Sequence, residues 1–169
     1  AVGINIEDSR CGKLIPIIDQ VNKIKAIKNC MNNSHIPLFI NARIDTYWLL
    51  PPQEDYFNET LRRIIAYQSA GADGIFIPGL NDLSLIKQFK KKCILPMNIL
   101  SSPKNSLPEL YNSGVSRLSI GSTALRGIAT IIQDMAIDIL EKGTSHYFEK
   151  AISYSNINEY FHLKTTPEV

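Results

Sequence analysis

One phrase recurs five times along this chain, a short apolar run followed by a segment with apolar residues at three- and four-residue spacing. The runs are "VGINIED", "PLFINAR", "DGIFIPG", "LPMNILS" and "RLSIGS". Strands that alternate with helices imply a parallel sheet, because each return crossover is long enough to be a helix. The first helix carries Ile18, Val21, Ile24 and Ile27 on one face, with Lys23, Lys25 and Lys28 elsewhere. The second carries Phe57, Leu61, Ile64 and Ile65 and stops at Gly71. Asn81, Ser106 and Ser122 are expected to cap the next three helices, the last of which stops at Gly143. Five βα units therefore account for residues 1–143, and 144–169 remain as a C-terminal helical tail. Glu7, Arg43 and Gly79 recur at intervals of 36 residues, a period suited to one βα unit.

Strand parity separates an open sheet from a barrel. Alternate side chains point to opposite faces, so Ile4 and Ile6 oppose Gly3, Asn5 and Glu7. Likewise Leu38, Ile40 and Ala42 oppose Phe39, Asn41 and Arg43, and Ile75 and Ile77 oppose Gly74, Phe76 and Pro78. Met97 and Ile99 oppose Asn98; Leu118 and Ile120 oppose Ser119 and Gly121. Parallel strands are ordinarily apolar on both faces because helices cover both. A consistently polar or small face suits the interior of a (β/α)₈ barrel near its C-terminal mouth, where such barrels place their sites. A complete barrel takes eight strands and about 250 residues. The expectation is therefore the C-terminal five βα units of a (β/α)₈ (TIM) barrel, strands four to eight, with the N-terminal strands absent from this chain. Such a half-sheet, with two unpaired edges, is not expected to be stable as a monomer.

Composition narrows the function classes. With 44% hydrophobic and 20% charged residues the chain suits a globular domain. No apolar run reaches the roughly 18 residues that span a bilayer, and no charged-then-apolar leader precedes the first strand, so a cytoplasmic protein without membrane contact is expected. Eighteen Lys and Arg against 16 Asp and Glu give a net charge of +2, too balanced to argue for nucleic acid. Cys11, Cys30 and Cys93 are odd in number and unrelated in spacing, which argues against disulfides or a zinc site.

Glu7 and Arg43 fall on the inward parity at neighbouring strand ends. Carboxylate oxygens suit Mg²⁺, and an Arg fork suits a carboxylate or phosphate. The plainer alternative is a structural Glu7–Arg43 salt bridge. Asp8, of outward parity, is expected to cap the following turn. Asn41 and Asn98 share the inward parity as further polar candidates.

"GINIED", "INARID", "AGADGIFIPGL" and "LPMNIL", in that order and spacing, resemble the isocitrate lyase and phosphoenolpyruvate mutase superfamily, closest to its carboxyvinyl-carboxyphosphonate phosphorylmutase-like members. The resemblance runs from about residue 1 to 143. It implies a Mg²⁺-dependent lyase-like enzyme that makes or breaks a C–C or P–C bond next to a carboxylate in a small oxo or hydroxy acid, through a metal-stabilised enolate. It implies Glu7 as a metal-site carboxylate acting through water, Arg43 as the residue that holds the substrate's carboxylate or phosphoryl group, and Asn98 and Asn41 as polar substrate contacts. The family's principal metal aspartates lie on strands before the fourth, outside this chain. The resemblance further implies a homo-oligomer that exchanges its eighth helix, in keeping with the apolar stripe Leu125, Ile128, Ile131, Ile132, Met135 and Ile139; the alternative is a helix buried at home under the aromatic tail "HYFEKAISYSNINEYF".

Two departures bear on the substrate. Cys11 in "SRCGK" echoes the "KRCGH" loop that carries a catalytic cysteine in the isocitrate-cleaving branches, but Ser9 replaces the Lys and Lys13 the His. Beside Arg10 and Lys13 a thiol could exchange a proton, or be an ordinary loop cysteine. "IPGL" places Gly79 where methylisocitrate-cleaving members carry a Glu, which disfavours isocitrate and methylisocitrate as substrates. His35, His146 and His162 match no ligand or triad pattern and read as surface or packing residues, and "TYWLLPPQ" is a Pro-stiffened loop in which Tyr47 or Trp48 could wall a pocket or simply cover the barrel edge. Two rivals stand beside the lyase: a phosphate-binding barrel isomerase or aldolase with its anion at Ser119–Thr123, and a degenerate, non-catalytic barrel.

Overall fold

The computed structural model describes residues 2–51, 55–144 and 146–161. His162, Pro52 and Gln53, named above, lie outside them. The chain divides into two compact units, 1–121 and 122–169.

The first unit opens with β1 (Gly3–Glu7), followed by a small hairpin of β2 (Ser9–Arg10) and β3 (Lys13–Leu14). Then come α1 (Ile17–Ser34), β4 (Phe39–Arg43), the single turn α2 (Thr46–Leu49) and α3 (Tyr56–Ser69). The unit continues through β5 (Gly74–Ile77), α4 (Leu83–Lys90), β6 (Met97–Leu100), α5 (Leu107–Asn112) and β7 (Val115–Ser119). β1, β4, β5, β6 and β7 form one parallel sheet in chain order. A doubly wound sheet reverses its strand order at a switch point; this one does not, and consecutive parallel strands joined by helices are the build of a (β/α)₈ barrel segment. The five strands expected from the sequence are all present. β7 starts earlier than expected, at Val115, because a bulge between Met97 and Asn98 shifts its register.

The apolar parity of each strand is the face that the helices cover. Ala42, Ile75, Ile77, Met97 and Ile99 pack with Ile24 of α1, Ile64 and Tyr67 of α3, Ile86 and Phe89 of α4 and Leu110 of α5 in one core. Phe57 stacks on Phe89 with centroids 4.9 Å apart. A fully buried Ile in such a core contributes about 1.5–3 kcal/mol. Two helical faces each differ from expectation in one residue. α1 turns Ile17, not Ile18, to the core, and Ile18 is exposed. In α3 the fourth inward residue is Tyr67, while Ile65 is exposed. Asp82, not Asn81, caps α4, accepting from the Ser84 and Leu85 N–H groups. An Asp side chain one residue nearer the helix reaches both orphan donors, and Asn81 bonds the Gly79 carbonyl instead. Ser106 caps α5 in a full capping box with Glu109.

The second unit contains α6 (Thr123–Ile137), which runs into a π turn over Asp138–Lys142 and ends at Gly143, whose φ of 65° is the left-handed stop. Asp138 accepts from the Thr144 hydroxyl at 2.6 Å and from Lys142 at 3.1 Å. A 3₁₀ turn (His146–Lys150) and α7 (Tyr154–Glu159), capped by Ser153, complete it. Ser122 stands at the N-cap of α6 without a side-chain cap bond. Among the described residues no helix is long and apolar enough to cross a membrane.

Candidate functional site

The sheet register sets Glu7 directly beside Arg43, and Arg43 beside Phe76. All three lie at the C-terminal ends of their strands. Arg43 Nη1 forms an ion pair with Glu7 Oε2 at 3.1 Å. The other side of the guanidinium is gripped harder: Nε donates to Asp45 Oδ1 at 2.7 Å and Nη2 to Oδ2 at 3.3 Å. The Trp48 ring lies over the same group, its centroid 4.7 Å from Cζ. Two carboxylates and an indole therefore fix one arginine. The Glu7 side chain is 53% exposed and that of Asp45 only 2%, so Asp45 is the fixed clamp and Glu7 the partner that solvent or a ligand can reach.

Asp45 is itself held from below. Its Oδ2 accepts from the Ser9 hydroxyl at 2.6 Å, which ties the β2–β3 hairpin to the strand end. Its backbone N–H donates to Asp8 Oδ1 at 2.9 Å. Asp8 is fully buried, and its Oδ2 accepts from Arg63 Nη1 and the Tyr67 hydroxyl, both at 2.8 Å. The outward parity expected for Asp8 is correct, but the turn-capping role is not. A carboxylate that points among helices must be paired or it would be too costly to bury, and α3 supplies the pair. Burial pushes the Tyr67 phenol far up, with the Asp8 charge adding to it. Burial alone would lower the Arg63 guanidinium, but Tyr67 and Asp8 beside it leave it raised. Glu59 completes the cluster on Arg63 Nε at 2.8 Å.

The remaining candidates are placed as follows. Asn41 is buried and donates to Asn5 Oδ1 at 2.8 Å, one layer below Arg43 on the same face. Asn98, in register with Phe76, is buried and exchanges hydrogen bonds with the Ser119 hydroxyl at 3.0 and 3.2 Å. Cys11 is exposed at the hairpin turn with φ of 50°. His35 ends α1 in the left-handed conformation, and His146 is exposed beside Glu149. Gly79 has φ of 84°, and a Cβ there would lie 2.7 Å from Trp48 Cδ1. Tyr47 stacks on Tyr56 at 5.5 Å, and its buried hydroxyl has no hydrogen-bond partner among the described residues. Burial, then Asp82 and Asp55, push the Tyr47 phenol up to about 12.

The metal fit is limited. Among the described residues no three His, Cys, Asp or Glu side chains converge as a cation site. Asp8 and Asp45 spend their oxygens on protein donors, which leaves Glu7 as the site's accessible carboxylate. One carboxylate fits an outer, water-mediated contact to Mg²⁺ and not a metal centre by itself.

Comparison with known proteins identifies the family. The sequence model of phosphoenolpyruvate phosphomutase matches residues 1–140. The chain belongs to the phosphoenolpyruvate phosphomutase family. An uncharacterized protein of Mycobacterium tuberculosis is 41% identical over 120 residues, which is 71% of this chain and 44% of that protein. The crystal structure of a candidate phosphonomutase from Burkholderia cenocepacia J2315 superposes with a TM-score of 0.73 at 31% identity, over 85% of this chain and 58% of that one. A candidate lyase/mutase from the same organism gives a TM-score of 0.86 at 26% identity, over 99% and 60%. The chain thus spans less than half the length of the curated relative and about three-fifths of the solved ones.

Within this phosphomutase-family chain, sequence reasoning brought together Glu7, Arg43 and the strand that carries Asn41. It missed Asp45, Ser9, Arg63 and Tyr67. Asp45 lay inside the quoted "INARID", and its two-residue spacing from Arg43 was the available signal; the others join the site only through tertiary contacts.

Proposed function

We propose that this phosphomutase-family protein is a lyase or mutase that makes or breaks a C–C or P–C bond next to a carboxylate of a small oxo or hydroxy acid. The supporting observation is the Glu7–Arg43 pair on adjacent strand ends, with Asp45 locked beneath the guanidinium. Arg43 holds the substrate's carboxylate or phosphoryl group with the N–H groups that Asp45 and Glu7 leave free. Asp45 keeps the fork in one orientation, so little is lost in ordering it on binding. When the bond beside the carboxylate breaks, its electron pair stays on the carbon and delocalises as an enolate, whose charge the Arg43 cation offsets. Mg²⁺, held from Glu7 through water and by donors beyond those described, would supply further charge stabilisation at the substrate oxygens. Asn41 and Asn98 are polar supports one layer beneath and two strands across. Cys11 is the candidate to return a proton to carbon, on a hairpin that Ser9 anchors to Asp45. Gly79 offers no side chain to handle a proton on a departing aldehyde, so isocitrate and methylisocitrate are excluded from the reading. A second copy of the chain is part of it, through the apolar stripe of α6. The Ser119 hydroxyl is already engaged by Asn98, which weighs against an anion site of the isomerase type there.

The deciding experiment measures turnover of small 2-oxo and 2-hydroxy diacids and phosphonates against Mg²⁺ concentration. Arg43→Lys should lose roughly ten- to hundred-fold, since an ammonium cannot reproduce the fork. Glu7→Gln should raise the Mg²⁺ concentration needed for half-maximal rate. Near-normal turnover in Arg43→Lys with unchanged metal dependence in Glu7→Gln would overturn the assignment.

A further inference from the structure

Trp48 and Gly79 meet at the same strand ends as Arg43. Trp48 sits in the turn after β4 and Gly79 in the loop after β5, 31 residues apart in "RIDTYW" and "FIPGL". A Cβ on Gly79 would stand 2.7 Å from Trp48 Cδ1 and 2.8 Å from Nε1, closer than any real Cβ stands. The indole therefore fills the volume that a side chain at 79 would claim. The glycine also has φ of 84°, a conformation that disfavours a side chain on its own account. Cδ1 and Nε1 of the pyrrole ring are the indole atoms nearest the Cβ position of Gly79, so the benzo ring, all hydrocarbon, lies farther from it. Trp48 is 50% exposed although it carries the largest apolar surface in the chain, and Arg43 lies across its face at 4.7 Å.

We propose that Trp48 is a specificity-determining residue: its exposed indole is an apolar wall beside Arg43 that selects small dicarboxylates bearing an alkyl group on the carbon next to the bound carboxylate. This deepens the proposed function and rests on Arg43 as the anion anchor. A polar side chain at 79 would present charge or hydrogen bonds at this point of the mouth, whereas the Trp48–Gly79 pair presents hydrocarbon. A carboxylate held by the guanidinium carries its neighbouring carbon into reach of the ring. Each methylene-sized group buried there adds about three- to four-fold in affinity, so an ethyl branch is worth up to roughly tenfold.

The test compares malonate with ethylmalonate, which share the two carboxylates and differ in the branch. Affinities are measured by calorimetry with Mg²⁺ present for the wild type, Trp48→Phe, Trp48→Ala and Arg43→Gln, with far-UV circular dichroism to verify folding. Trp48 is the one tryptophan of the 169 residues, so quenching of wild-type emission by either diacid reports contact at this ring. Ethylmalonate should bind the wild type several-fold to tenfold tighter than malonate. Trp48→Phe should keep most of that ratio, Trp48→Ala should bring it near one, and Arg43→Gln should weaken both ligands. A wild-type ratio of one, or a Trp48→Ala variant that weakens both diacids alike, overturns the wall while leaving the anchor in place. Unchanged binding in Arg43→Gln, or no binding of either diacid to the wild type, overturns the anchor and the wall with it.

Discussion

Asp8 and Asp45, 37 residues apart, are joined by a hydrogen bond from the Asp45 backbone N–H to Asp8 Oδ1 at 2.9 Å. One end of this link is a carboxylate held by Arg63 and Tyr67 among the helices; the other is the residue that clamps Arg43. Replacing Arg63 by Met strands Asp8 as a buried, partly unpaired charge. Urea unfolding should show a loss of about 3–5 kcal/mol. Adding Asp8→Asn to that variant should cost less than the sum of the two single changes, because they share one interaction. Strict additivity would show that the pair does not act as a unit.

Gly79→Ala should destabilise the fold by about 1–2 kcal/mol from its left-handed backbone alone, plus the cost of moving the indole. In a Trp48→Ala background the indole's share of the clash vanishes, while the backbone part and the 3.2 Å approach to Tyr47 Cβ remain. A double-mutant cycle by denaturant unfolding should therefore return a coupling of about 0.5–3 kcal/mol; zero coupling would contradict the close approach.

Tyr47 gives a pH prediction. Its folded phenol is pushed up to about 12 by burial and by Asp82 and Asp55, whereas an unfolded Tyr titrates near 10. Between these values the folded state holds the proton and the unfolded state does not, so stability falls as pH rises from about 10 to 12. Below about pH 10 the contribution is fully present. Tyr47→Phe should flatten that slope while costing little at neutral pH, since the buried hydroxyl has no partner among the described residues to lose. An unaltered slope in this variant would refute the assignment.

Isocitrate and methylisocitrate should give negligible glyoxylate or pyruvate with this protein, whatever its metal content. Robust production of either would show that a group other than residue 79 handles the proton.

The sheet was legible because two periods are written into the chain. Alternation in "GINIE" and "FINAR" separates the helix-facing Ile6 and Ala42 from the site-facing Glu7 and Arg43, and register alone then sets those two side by side. Helix faces were legible to within one residue; Ile17 and Ile18 are both apolar, and only packing chooses between them. The layer beneath Arg43 was not legible. Ser9 reaches Asp45 over 36 residues and Arg63 reaches Asp8 over 55, distances at which no local pattern marks a partner. An acid after a strand reads the same whether it will cap a turn or anchor a helix. Trp48 was named as a possible pocket wall, but its fit against Gly79 is a matter of shape that neither loop announces by itself.

The tie from α3 through Asp8 to Asp45 also bears on how the site comes into being. The Asp45 clamp on Arg43 is backed by Asp8, which in turn is held by Arg63 and Tyr67 of α3. The order around Asp45 and the docking of that βα unit are therefore linked through Asp8. On the proposed reading of Arg43, a nascent chain in which α3 has not yet docked should display a looser arginine, and its preference among anions should sharpen as α3 seats Arg63 against Asp8.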